Sequence, residues 1–110
     1  MAKVAQEYTQ QQISDALRRP TKAKPSSNAT VDTVSTAIIA INKKRRGLVL
    51  TNTGANAVFI GINQDAIANQ GIYLVSNGGV WVMDNFTYTD RAINGIAIGG
   101  VANISIQEFE

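Results

Sequence analysis

The sequence predicts an all-β protein: an antiparallel β-sandwich, jelly-roll or immunoglobulin-like, of about seven or eight strands, preceded by an N-terminal helix and an extended arm. Three observations predict it. Short β-branched runs recur from Arg46 onward, as in Gly-Leu-Val-Leu-Thr and Ala-Val-Phe-Ile-Gly-Ile. Asn/Gly turns such as Thr53-Gly-Ala-Asn56 and Ser76-Asn-Gly-Gly79 separate those runs at short intervals. The last run alternates: Ala102, Ile104 and Ile106 share one side, and Asn103, Ser105 and Gln107 share the other, as an antiparallel strand with one buried face requires.

The N-terminal element is expected to be a helix over Val4–Arg18. Val4, Ala5, Tyr8, Ile13, Ala16 and Leu17 follow helical spacing, with glutamines between them. Glu7 lies toward its start and Arg18 and Arg19 close its end, which suits the helix dipole. Pro20 forbids continuation. A single helix of about 15 residues is marginal alone in water, so it calls for a docking surface on the sandwich, a second copy or another protein. Residues 20–29, with Pro20, Pro25, Ser26, Ser27 and Asn28, read as a linker that sustains neither helix nor ladder. The domain division is therefore 1–29, helical arm and linker, and 30–110, β-sandwich.

Within the sandwich, a first strand is expected over Thr30–Ile41, bent near Ser35 where alternation breaks. Arg46–Thr53, Ala57–Ile62, Gly71–Val75 and Val80–Asp84 follow. Phe86–Thr89 is a short strand or extended loop, and Ile93–Ile98 and Ala102–Phe109 form the closing pair around Gly99-Gly100.

Composition narrows function. A chain of 110 residues has room for one domain. With no Cys there is no disulfide, thiolate zinc site or thiol nucleophile, and with no His the commonest general base and transition-metal ligand are gone. No spacing suggests a Ser–Lys or paired-carboxylate arrangement, so the expectation is a protein with no enzymatic activity, no cofactor and no metal. The N-terminus lacks the apolar core of a signal peptide, and no run approaches the roughly 20 apolar residues of a membrane span. The net charge of +2 implies nucleic acid only if clustered. It is partly clustered: through Ser27 the arm carries five cations against two anions, and the rest five against six.

The pattern from Arg46 to Gly61, then Gly71-Ile-Tyr-Leu, Asn77-Gly-Gly and a closing apolar–polar strand ending at Glu108, resembles small β-sandwich virion proteins of tailed bacteriophages, among them capsid decoration proteins, head-fibre bases and neck- or tail-associated modules. The resemblance covers Val34 to Glu110 and not the arm. It implies a structural, non-enzymatic virion protein, assembled in the host cytoplasm, whose partners are capsid or connector proteins and copies of itself. A capsid decoration or head-associated role, docked through the arm and sandwich surface, is the leading expectation. A neck or tail module is the alternative within that class.

Several residues are candidates for contact. On the arm they are Tyr8, Ile13, Leu17, Arg18 and Arg19. On the strands, Phe59, Tyr73 and Trp81 face away from neighbours that already fill one core, so they either form an intersubunit interface or are covered by curvature or the arm. Lys43, Lys44, Arg45 and Arg46 form a basic run. It is either a patch for phosphates or an acidic surface, or a solvated loop that blunts an edge. The first use, with the basic arm, would make a nucleic-acid-binding β-barrel, but no aromatic residue interleaves the run for base stacking. Carbohydrate binding on the Tyr73/Trp81 face has only fold-level analogy behind it. Asn63-Gln-Asp65 and Asp84-Asn85 carry oxygen ligands without calcium-loop spacing and read as turns. The sequons at Asn28, Asn85 and Asn103 have no secretory context.

Overall fold

The computed structural model describes residues 21–110. Eight strands form: β1 (Ser27–Val31), β2 (Thr36–Ile39), β3 (Gly47–Asn52), β4 (Val58–Ile62), β5 (Ile72–Leu74), β6 (Gly79–Val82), β7 (Ile93–Ala97) and β8 (Ala102–Phe109). They make two four-stranded antiparallel sheets, ordered β1-β8-β3-β6 and β2-β7-β4-β5. Strand β1 pairs with β8, β2 with β7, β3 with β6 and β4 with β5. The chain is thus one long hairpin, with its tip at residues 63–71, rolled so that the two sheets face each other.

The alternation that predicts the strands also sets their register. In β8, Ala102, Ile104, Ile106 and Glu108 are buried and the intervening residues half-buried. Leu50 opposes Ile106, and Leu48 opposes Glu108. Val31, Ile38, Leu48, Leu50, Val58, Ile60, Leu74, Ile93 and Ile104 fill the space between the sheets. Glycine keeps that layer closed at Gly95, where a Cβ would meet Ile38 Cδ1 at 2.6 Å.

The expected first strand divides. Residues 32–35 turn the chain from one sheet to the other, held by Asp32 N donating to Thr36 Oγ1 at 3.1 Å and Thr36 Oγ1 donating to Val34 O at 2.8 Å. The linker expectation is corrected. Lys22 N donates to Glu110 O, Glu110 N to Lys22 O and Lys24 N to Glu108 O, so residues 22–24 extend the β1 edge along the end of β8. Pro25 has no N–H to give, and the regular ladder resumes at Ser27. The expected boundary between residues 29 and 30 therefore falls inside β1. The expected helix over Val4–Arg18, with Tyr8, Ile13, Leu17, Arg18 and Arg19, lies outside the described residues. Residues 86–89 are a turn and loop rather than a strand. Among the described residues no helix is long and apolar enough to cross a membrane.

Candidate interaction surfaces

The antiparallel order gives the sandwich two ends. One holds residues 21–26, 40–46, 63–71, 83–92 and the C-terminus; the other holds residues 32–35, 53–57, 75–78 and 98–101. Among the described residues, Asp32 alone of the charged side chains belongs to the second end. The first carries seven cations and five anions.

The charged end is organised around Arg45, which is 1% exposed. Its Nε donates to Glu108 Oε2 at 2.7 Å, Nη1 to Thr89 O and Arg91 O at 3.1 and 2.8 Å, and Nη2 to Ala40 O at 2.8 Å. One planar guanidinium thus ties β8 to two loops, a use that suits arginine's rigid fork of donors. Lys24 Nζ approaches Glu108 Oε1 at 3.2 Å and fastens the N-terminal segment to the same carboxylate. Burial pushes the Glu108 carboxyl up. The hydrogen bonds from Arg45 and Lys24 and the Arg45 charge together outweigh burial and hold it below the usual range.

This burial corrects the basic-run expectation. Arg45 is an internal strut, while Lys43, Lys44 and Arg46 are exposed. The fold also brings aromatic residues to that run. Tyr88 Oη donates to Arg45 O at 3.0 Å, across 43 residues of sequence. Beside it, Phe86 is 98% exposed. It sits on a tight turn in which Asp84 Oδ1 accepts from Phe86 N, Thr87 N and Thr87 Oγ1 at 2.8, 2.9 and 3.0 Å. Hydrogen bonds from Thr87 and Phe86 hold the Asp84 carboxyl below its ordinary value. The Asp84-Asn85 pair is thus a turn. Asn63, at φ 56°, turns the chain at the end of β4.

The outer faces of the sheets carry no formal charge. On the β2-β7-β4-β5 sheet, Tyr73, Phe59 and Ile96 line up across three strands. Phe59 and Tyr73 have ring centroids 5.1 Å apart at 42°. Continuing the alternation, exposed Val75 and Ile98 extend this apolar surface toward the uncharged end. Trp81 does not join it. It opposes Leu50 across β3–β6 and packs half-buried against the core, leaving Val80 and Val82 outside. The structure thus brings Phe59 and Tyr73 together and separates them from Trp81.

Three residues stand out only in the folded structure: Glu108, which along the sequence simply ends a strand; Phe86, which lies in a segment readable as a short strand or extended loop; and Asn52, which carries no signal in the sequence. Asn52 is fully buried. Its Nδ2 donates to Asn56 O and Leu74 O, and its Oδ1 accepts from Gly54 N, which braces the uncharged end. Comparison with family models, curated proteins and solved structures finds no match to this chain.

Proposed function

We propose that the protein is a non-enzymatic structural component of a tailed-phage virion, a capsid decoration or head-associated module that docks on the particle through its N-terminal arm and sandwich surface and contacts further copies of itself. The observation that carries this reading is the uncharged apolar row of Tyr73, Phe59 and Ile96, continued by Val75 and Ile98, on the outside of a sandwich whose core is already filled. Exposed contiguous apolar area of this kind marks protein–protein contact. The wiring supports it: pairing β1 with β8, β2 with β7, β3 with β6 and β4 with β5 is the jelly-roll arrangement, which capsid proteins use and which leaves two outer sheet faces for neighbours. The reading also rests on the resemblance drawn from the residues between Val34 and Glu110.

The test is localisation. Particles banded on a density gradient are probed with antibody to the protein and imaged by immunogold labelling. Retention at a fixed copy number on heads supports the proposal. A protein abundant in the infected lysate but lost from banded particles would remove it, and label confined to the neck or tail would move it to the alternative position.

A further inference from the structure

We infer that the charged end of the sandwich is its docking end, and that Phe86 is the anchor, seating in an apolar pocket of an acidic protein surface. This rests on the virion reading and adds the face and the chemistry of the partner. A phenyl ring left 98% exposed forgoes most of the gain that burial of a side chain of this size brings. Its turn is already fixed by three hydrogen bonds to Asp84 Oδ1, so little ordering cost remains when the ring is buried by a partner. Aromatic anchors set in a polar rim are the usual centre of a protein–protein contact.

The rim names the partner. Lys22, Lys43 and Lys44 are exposed on this end. The anions beside them are mostly engaged: Glu108 with Arg45 and Lys24, Asp90 with Arg91 at 3.5 Å. The complementary surface is acidic. A protein fits better than nucleic acid, because a phenyl ring seats in an apolar pocket, which a protein surface supplies and a phosphate backbone does not. Chain continuity points the same way. Residues 1–20 join the described structure at Thr21, on this end, and contain Lys3, Arg18 and Arg19 against Glu7 and Asp15. The arm and the Phe86 loop therefore start from one side of the molecule, and the uncharged end points away from the partner.

The experiment uses the full-length protein and particles assembled without it, with binding followed by co-sedimentation. Phe86→Ala is expected to weaken binding at least about tenfold while leaving the melt unchanged, because the ring touches so little. Lys43→Glu/Lys44→Glu is expected to weaken it further at low salt. Val34→Lys, on the opposite end, is expected to bind as the unchanged protein does. If the unchanged protein does not bind, the virion reading falls and this inference with it. If it binds and Phe86→Ala binds equally, this inference alone is overturned. Loss of binding in Val34→Lys instead of Phe86→Ala would put docking on the other end. A parallel titration with a 20-nucleotide oligothymidylate covers the other polyanion. Binding there tighter than to particles, lost in Phe86→Ala, would assign the site to nucleic acid and overturn the protein partner.

Discussion

Arg45 Nε and Glu108 Oε2 meet at 2.7 Å inside the charged end of the sandwich, 63 residues apart in sequence and both out of solvent. Removing one member strands the other. Arg45→Met leaves a buried carboxylate with Lys24 as its remaining cation and leaves three backbone carbonyls without their donor. The expected loss is about 3–5 kcal/mol in a urea titration. Arg45→Lys should recover only part of it, since one ammonium cannot reach the carbonyls of Ala40, Thr89 and Arg91 together. A melt within error of the unchanged protein would show that the strut is idle.

The same pair gives a pH dependence. The Glu108 carboxyl is held below its ordinary value of 4.5 in the folded state, so the unfolded chain takes up a proton first. The stabilisation is complete above the ordinary value and is lost as pH falls through the lowered one. Thermal midpoints recorded from pH 6 downward should therefore drop in the acid range. Glu108→Gln should be less stable at pH 6 and show a shallower acid slope. Parallel slopes in the two proteins would place the acid sensitivity in other carboxylates.

Asn52 is expected to matter as much as an apolar core residue. Asn52→Ala leaves Asn56 O, Leu74 O and Gly54 N without their side-chain partner, at about 1–3 kcal/mol per unsatisfied buried group. Asn52→Asp should be worse, because it sets a carboxylate against two carbonyl oxygens. Chemical denaturation of both variants checks the order.

Deletions should separate the arm from the sandwich. Removing residues 1–20 is expected to leave the cooperative melt in place, since every contact described above survives. Removing residues 1–31 takes away β1, exposes β8 and opens the site of fully buried Val31, and should abolish the cooperative transition. A folded protein without β1 would show that the edge strand is dispensable.

Copies that meet through the outer face of the β2-β7-β4-β5 sheet should separate when that face is charged. Tyr73 is 55% exposed but its ring meets Phe59, so Tyr73→Lys is expected to cost about 0.5–1.5 kcal/mol of stability, too little to unfold the sandwich, and to lower the association constant in sedimentation equilibrium. Trp81, packed against the core, should show the same partial iodide quenching in dilute and concentrated protein. Quenching that falls with concentration would put Trp81 in the contact.

What the sequence determined by itself is local. Alternation with period two places Ala102, Ile104 and Ile106 on one face without reference to any partner strand, and the structure buries all three. The Asn/Gly turns and the break near Ser35 are legible for the same reason, because they depend on backbone preferences of neighbouring residues. The tertiary structure decided everything that depends on distant partners. Lys43-Lys-Arg-Arg46 reads as one solvated run, and only the arrival of Glu108 and three loop carbonyls draws Arg45 inside. Trp81 and Tyr73 look alike along the chain, and only the pairing of Trp81 with Leu50 turns one inward while Tyr73 stays out. Pro25 and two serines suggest a free linker, yet the unpaired edge of β8 holds Lys22 and Lys24 on its backbone. Phe86 lies in an ordinary-looking loop, and only the folded surface shows that no other part of the described chain covers its ring.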